Sequence, residues 1–315
     1  MGKFMVTGGA GFIGGHIVEL LISEGHDVIV FDDFSTGSLD NLCAVANEIE
    51  IVTGDIRDID SLNKAMRGVE HVIHQAAEIS NTKSVEDPAW VNSVNVDGTL
   101  NVLISARDAG VKRFTMASSC AIYGDTGDQP QREDFLPHPL SPYGASKICG
   151  EHYLSVFYQI YGLETVRLRY FNVFGPRQNP ASQYAAVIPK FIDRILAGRE
   201  IHIYGDGQQT RDFVYVQNVA RANYLACTSP DAAGGVFNIA SGMSVDLTRL
   251  ASHLQHLAGK QIEVVYDPPV LGDIKYSTSD ISNAREKLGY SPLVSFEEGL
   301  ERTFIHFAAK ANSAC

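Results

Sequence analysis

A phenol and an ammonium stand four residues apart in Tyr143-Gly-Ala-Ser-Lys147. On a helix, positions i and i+4 share one face, so both side chains can converge on one reactant. Ser141-Pro142 reads as an N-cap followed by proline at the first helical position. Tyr143 then falls in the first turn, where the helix dipole favours an anion. A free tyrosine ionises near pH ~10, and a fixed cation beside it lowers such a pKa by roughly 1–3 units. The spacing predicts a phenolate that works as a base. Because Tyr-x-x-x-Lys also occurs on ordinary surface helices, the chemistry needs partners elsewhere in the chain.

The first partner is Thr7-Gly-Gly-Ala-Gly-Phe-Ile-Gly14, which follows an apolar strand and opens a helix. Gly8, Gly11 and Gly14, with Phe12 and Ile13 between the last two, allow a tight turn and close approach of backbone to a pyrophosphate. The helix N-terminus faces the phosphates. Asp32 ends the second strand, 18 residues after Gly14. A carboxylate there hydrogen-bonds the adenosine ribose and repels a 2′-phosphate, which selects NAD over NADP. No arginine follows it; Asp33, Thr36 and Gly37 continue the cofactor loop. Asp55-Ile56, after the third strand, is expected beside the adenine. Gln75-Ala76-Ala77, after the fourth, is expected to run along the cofactor.

These residues need a scaffold, and the pattern supplies one. Strands are expected at Lys3–Val6, Asp27–Phe31, Glu50–Thr53, His71–His74, Arg113–Ala117 and Thr165–Tyr170. Between them lie helices at Gly14–Glu24, around Ile59–Met66, at Asp97–Ala109 and at Ser141–Tyr161. Such alternation predicts an α/β fold, a Rossmann-type doubly wound parallel sheet. After Gly175 the texture turns irregular, in Gly175-Pro-Arg-Gln-Asn-Pro180 and Gly205-Asp-Gly207. The expected organisation is a Rossmann domain over 1–175 and a smaller C-terminal α/β substrate lobe over 176–315. Segments near 210–240, at Phe213–Val216 and Val236–Ile239, are expected to return to the main sheet.

The chain has 315 residues, enough to bury a substantial core, and a formal net charge of −12 with no basic block. That balance argues against nucleic-acid and anionic-membrane partners. No apolar run reaches the length of a membrane span, and no signal-like segment precedes the first strand. The five cysteines are scattered, odd in number and without C-x-x-C spacing. They fit a reducing cytoplasm and neither a disulfide framework nor a zinc site. No histidine pair has metal-ligand spacing, so no metal is expected.

With the glycines, Asp32, Ser119, Tyr143 and Lys147 together, the chain resembles the extended short-chain dehydrogenase/reductase superfamily. Within it the chain looks most like the UDP-hexose 4-epimerases. The resemblance runs nearly end to end. It is carried by Thr7–Gly14, Gly54-Asp55, His74-Gln-Ala-Ala77, Asn95-Val-Asp-Gly-Thr99, Ser118-Ser-Cys-Ala-Ile-Tyr-Gly124, Ser141–Lys147, Arg169-Tyr-Phe-Asn-Val-Phe-Gly175, Gly205–Val216 and Gly272-Asp273. It implies a catalytic Ser119, Tyr143 and Lys147 and an NAD contact at Asn95, with Tyr170-Phe171 flanking the nicotinamide. Tyr143 would take the proton of a sugar hydroxyl while the same carbon gives hydride to NAD. Lys147 would steady the phenolate and bond the cofactor ribose, and Ser119 would relay the proton. Family dehydratases and decarboxylases carry a carboxyl just after the catalytic hydroxyl residue. Cys120 and Ala121 stand there, which argues against both reactions. The resemblance also implies a homodimer in which two long helices per subunit, near 97–109 and 143–161, form a four-helix bundle; simple packing against the sheet is the plain alternative.

For the UDP-sugar, the resemblance assigns the phosphates to Asn172 and Arg211, the uracil to His202 and Tyr204, and the uridine ribose to Asp273. Arg211 could instead be a surface ion pair with Asp212. A second diphosphate arginine common in the family is replaced by Val270, with Lys275 or Arg177 as candidate substitutes. Ser277 matches a gate at the sugar's far wall, where a bulky Tyr restricts relatives to unacetylated sugars. With Val187 in the epimerase-like stretch Tyr184-Ala-Ala-Val-Ile-Pro189, this predicts that UDP-N-acetylglucosamine is accepted beside UDP-glucose. Epimerisation of UDP-glucuronate or another nucleotide sugar, and a non-catalytic NAD-sensing role, are the competing readings.

Overall fold

The computed structural model describes residues 2–179, 186–269 and 274–313. Twelve strands lie among the described residues. They are β1 (Lys3–Thr7), β2 (Asp27–Asp32), β3 (Ile49–Thr53), β4 (His71–His74), β5 (Arg113–Ser119), β6 (Glu164–Tyr170), β7 (Asn172–Phe174), β8 (Ile201–Tyr204), β9 (Thr210–Tyr215), β10 (Val236–Ile239), β11 (Ser244–Asp246) and β12 (Val264–Asp267). The helices are α1 (Phe12–Ser23), α2 (Ile59–Ala65), α3 (Asn81–Glu86), α4 (Pro88–Asn92), α5 (Thr99–Asp108), α6 (Pro142–Tyr161), α7 (Val187–Leu196), α8 (Val216–Thr228), α9 (Leu247–Ala258), α10 (Ser282–Leu288) and α11 (Phe296–Ser313).

Seven strands form one parallel sheet in the order β10-β6-β5-β4-β1-β2-β3. Its inner strands are buried almost throughout, as a sheet covered by helices on both faces requires. One apolar layer packs Val102, Leu103 and Ala106 of α5 and Leu154 and Phe157 of α6 against Met5, Val72 and Phe114. On the other face, α1 and α8 cover Val6, Val30 and Ile73. The strand order reverses between β1 and β4, which places a crevice at the carboxyl ends of those strands.

Two smaller sheets stand beyond. One has the order β11-β9-β7, and the other pairs β8 with β12. The expected return of Val236–Ile239 to the main sheet is seen in β10, which pairs with β6. Phe213–Val216 does not return. With the β6 edge taken by β10, β9 pairs with β7 and β11 instead, and the chain comes back to the main sheet as helix α8. The helix expected over Asp97–Ala109 is also divided. A π-helical turn over Ser93–Gly98 precedes α5, and the Thr99 hydroxyl donates to the Asn95 carbonyl at 2.6 Å.

Helix α6 begins as the sequence requires: the Ser141 hydroxyl accepts from the Gly144 N–H at 3.2 Å, with Pro142 at the first helical position. Gly162, at φ +71°, ends the helix in the left-handed conformation. A buried ion pair then locks α6 to the sheet. Arg169 of β6 donates from Nε to Glu151 Oε1 at 2.9 Å and from Nη2 to Oε2 at 2.7 Å. The Ser118 hydroxyl donates to the same carboxylate at 2.5 Å, and Arg169 Nη1 donates to the Tyr123 hydroxyl at 2.8 Å. Removing one partner leaves the other charge buried and unpaired, at a cost of about 3–5 kcal/mol. Arg169→Ala should lower the unfolding free energy by about that amount in urea titrations. A change near zero would mean that the pair does not brace the fold.

Candidate active site

Residues at the carboxyl ends of β1, β2, β4, β5 and β6 face one crevice. The chain turns from β1 into α1 through Gly8–Gly11. Gly8 sits at φ +67°, and a Cβ there would lie 2.6 Å from the Ala76 nitrogen. A Cβ on Gly14 would lie 2.1 Å from the Gly8 carbonyl oxygen. The turn is therefore packed against its own helix and against Ala76, with Gly11 at the helix N-cap and Phe12 and Ile13 opening α1. That is the cradle a pyrophosphate needs.

Asp32 is 6% exposed, and its carboxylate accepts from the Ala10 N–H at 2.9 Å and the Phe34 N–H at 2.8 Å. Burial raises its pKa, and the two backbone donors oppose that shift. The loop beyond is ordered by its own bonds: Ser35 donates to Asp33 from both N–H and hydroxyl, and the Ser38 N–H donates to the Ala10 carbonyl. Gly37 packs on Ala10 and Asp32, where a Cβ would lie 2.9 Å from the Asp32 carboxylate; Thr36 precedes it. Asp55 is held below the usual carboxylate range by the Arg57 guanidinium, whose Nη2 lies 2.5 Å away. Ile56 is buried against Gly98. The residues present fit a bound NAD: a glycine cradle, a carboxylate for the ribose, and Asp33, not an arginine, next after it in the chain.

Deeper in the crevice, Ser119 ends β5, and Tyr143 and Lys147 lie on the buried face of α6. The Ser119 hydroxyl accepts from the Ala121 N–H at 3.1 Å. Lys147 Nζ donates to the Ala117 carbonyl at 3.0 Å and lies 5.8 Å from the centre of the Tyr143 ring. Burial pushes the phenol of Tyr143 up to about 12, partly opposed by the Ser119 hydroxyl. Burial also pulls the Lys147 ammonium down to about 8. The sequence expectation of a phenol lowered by its lysine is therefore not met in the protein by itself, where burial is the largest influence on Tyr143 and raises its pKa. Cys120 lies in the next turn, and burial pushes its thiol up to about 12, so it is no thiolate nucleophile. No group of acidic, histidine or cysteine side chains among the described residues could hold a metal.

Asn95, in the π-helical turn, is buried. It accepts from the Glu78 N–H at 2.8 Å and donates to the Glu78 carbonyl and to the Ser146 hydroxyl at 3.0 Å. It staples the segment after Ala77 to α6. Gln75 and Tyr170 meet: Gln75 Nε2 donates to the Tyr170 hydroxyl at 3.0 Å, and Asn223 Nδ2 of α8 donates to it at 2.7 Å. Phe171 is buried behind them.

The residues assigned to the nucleotide-sugar come from β7, β8, β9 and the chain after them, and Arg211 lies near enough to Cys120 to act on its thiol. Asn172 begins β7 and donates to the Asp212 carbonyl at 3.1 Å. Arg211, on β9, donates to the Thr210 carbonyl at 2.8 Å. The Asp212 carboxylate is fully buried. It accepts from the Ser241 N–H and hydroxyl, the Gly242 N–H and the Ser279 hydroxyl, so its role is structural. His202 lies on β8 between Asp267, at 2.8 Å, and Glu200, at 3.2 Å, and Tyr204 is exposed at the strand's end. Val187 opens α7, and Ser277 is buried. Asp273, Val270 and Tyr184 lie outside the described residues. Lys275 faces Asp206 at 3.7 Å, and Arg177 is turned toward α1, where it binds Glu19, which removes it as a substitute diphosphate contact.

Two supporting residues, Glu151 and Asn223, escaped the sequence reading, and a third, Asp212, was read only as a surface ion-pair partner although it is buried. Each acts through a buried partner distant in sequence. Glu151 alone left a local trace, since it stands one helical turn beyond Lys147 on the same face.

The geometry has close counterparts. Residues 4–240 match the NAD dependent epimerase/dehydratase family. The UDP-glucose 4-epimerase of Mycolicibacterium smegmatis is 38% identical over 313 residues, covering 98% of this chain and 99% of the relative. The structure superposes on the UDP-N-acetylglucosamine 4-epimerase of Methanobrevibacter ruminantium, solved with UDP-N-acetylmuramic acid, with a TM-score of 0.94 and 41% identity over 98% of this chain and 99% of that one. The UDP-glucose 4-epimerase of Thermus thermophilus, solved with NAD, gives a TM-score of 0.89 and 40% identity over 97% and 98%. The chain belongs to the NAD dependent epimerase/dehydratase family. It stands among that family's UDP-sugar epimerases, and its cofactor is NAD.

The lowered Lys147 pKa has a stability consequence. Between about 8 and the ordinary 10.5, the unfolded chain binds the lysine proton and the folded chain does not. The stability of the NAD-free protein relative to Lys147→Met should therefore rise with pH across that window and be level below it. Urea titrations of both proteins at several pH values test this; a difference that falls with rising pH would refute the burial of the ammonium.

Proposed function

We propose that the protein interconverts UDP-hexoses at C4, acting on UDP-glucose/UDP-galactose and also on their N-acetylated counterparts. The observation that carries this reading is the convergence of Ser119, Tyr143 and Lys147 beside an NAD cradle, with no carboxyl at Cys120 or Ala121. NAD, when bound, supplies a hydride acceptor that can return the hydride, and its oxidised nicotinamide carries a positive charge. The residues do the rest. Tyr143 takes the proton of the sugar O4 hydroxyl, directly or relayed by Ser119. That proton must go to a phenolate, and burial alone holds the phenol near 12. The positive charge of bound NAD, added beside Lys147, would supply the lowering that the chain without its cofactor does not show. After the keto sugar has turned, Tyr143 returns the proton to O4, while bound NAD would return the hydride to the opposite face. The reaction ends with no net redox change and needs no further acid, which is why the absence of a carboxyl at 120–121 suits it.

Arg211, Asn172 and the partly undescribed 270–277 stretch are assigned to the diphosphate and uridine, with a guanidinium fitted to phosphate oxygens. Ser277 is assigned to the sugar gate, its small side chain leaving room for a 2-acetamido group. We also propose a homodimer. The outward face of α6 carries Tyr153, Val156 and Ile160, all at least one-third exposed, at the spacing of a helical stripe. A second copy of the same stripe would cover it.

Purified protein with NAD should interconvert UDP-glucose and UDP-galactose, and Tyr143→Phe should lower turnover by roughly a hundredfold or more while bound NAD is kept. No turnover on either the plain or the N-acetylated pair sinks the reading. Ser277→Tyr should suppress the acetylated pair far more than the plain pair; equal effects would remove the gate. Val156→Glu should shift the particle to a monomer in sedimentation velocity, and an unchanged mass would place the interface elsewhere.

A further inference from the structure

Arg177 stands where the chain leaves β7 for the C-terminal lobe, in the left-handed conformation at φ +70°. This conformation is costly for a side chain with a Cβ and persists where surrounding bonds hold it. Here they are visible. Nη1 donates to Glu19 Oε1 at 2.5 Å and Nη2 to Oε2 at 2.8 Å, a two-pronged grip on α1. Nη1 also donates to the Asn41 carbonyl at 2.8 Å. The preceding carbonyl, of Pro176, is bonded to His16 Nε2 at 3.1 Å.

Asn41 passes the contact onward. Its Nδ2 donates to the Ala10 carbonyl at 2.8 Å, beside the bond from the Ser38 N–H to the same oxygen. The Ala10 N–H in turn donates to the Asp32 carboxylate. Gly15 of α1 lies close under Asn41, where a Cβ would meet the Asn41 carbonyl oxygen at 2.9 Å. A continuous chain of bonds thus runs from Arg177 through Asn41 and Ala10 to Asp32. It encloses the loop that carries Asp33, Thr36 and Gly37. The guanidinium is 17% exposed and Glu19 29%, so the pair is screened from bulk water only in part.

We propose that Arg177 is a latch that retains NAD. It is a positioning residue: from the root of the C-terminal lobe it pins the loop over 33–42 against the glycine turn and so slows release of the adenosine end of the cofactor. Because the latch is rooted in the segment that leads to the sugar-binding lobe, cofactor retention is coupled to that lobe's position. The proposal rests on the NAD assignment and not on the identity of the sugar.

The test measures NAD release from the holoprotein, by the cofactor remaining after timed gel filtration. Arg177→Met, which keeps the aliphatic stem, should speed release by roughly tenfold. Asn41→Ala, which keeps the ion pair but cuts the link to Ala10, should do the same. The double variant should be no worse than either single one, because both break one chain of contacts. At saturating NAD, turnover should return to within roughly twofold of the parent. Unchanged release in Arg177→Met, or additive losses in the double variant, would overturn the latch. So would normal release with weakened UDP-sugar binding, which would place Arg177 at the diphosphate.

Discussion

The bidentate contact between Arg169 and Glu151 is the constraint from which the reactive geometry follows. Arg169 lies on β6 and Glu151 on α6, and Ser118 of β5 joins the same carboxylate. Three elements are thereby fixed to one another at one point. Ser119 is the residue after Ser118, and Lys147 stands one turn before Glu151. The Ser119 hydroxyl and the Lys147 ammonium are each one short step from the same buried pair. Charges so deep are costly to desolvate, and here each is met by its partner and by the Ser118 and Tyr123 hydroxyls.

The electrostatics of the crevice divide between chain and cofactor. The protein buries a phenol and an ammonium together, and each is pushed toward its neutral form. A dry site of this kind strengthens whatever charge is next introduced. His74, wholly buried between the hydroxyls of Thr7 and Thr99 and pulled down to about 3, adds no competing cation. In the chain itself, both side chains are thus held in a dry site that favours their neutral forms.

Much of this was legible in the residues. The glycine turn, Asp32, the capped start of α6 and the strands of the main sheet all rest on local signals: φ requirements, a cap, an apolar run. What the residues hid was pairing at long range. Phe213–Val216 has the apolar texture of a core strand, but the edge it would occupy is filled by β10. The helix over Asp97–Ala109 has a continuous pattern, but the tight fit of Gly98 on Ile56 accompanies a π-helical turn. The phenol's pKa could not be read from a Tyr–Lys spacing, because burial, not proximity, dominates it. Arg177 was readable only as a spare charge, since its partners Glu19 and Asn41 lie more than a hundred residues away.

The place of β10 bears on how the chain comes into being. The sheet that carries the cofactor site is closed on one side by Val236–Ile239, a strand separated from β6 by the whole of β7, β8 and β9. During synthesis, the first six strands are complete long before their edge is covered. Until residue 239 emerges, β6 presents a row of unpaired backbone groups, the kind of edge that invites pairing with another chain. Contacts of such sequence separation also slow folding. A nascent chain of this protein thus carries an open seam for the time it takes to make about seventy residues, at ordinary rates on the order of seconds.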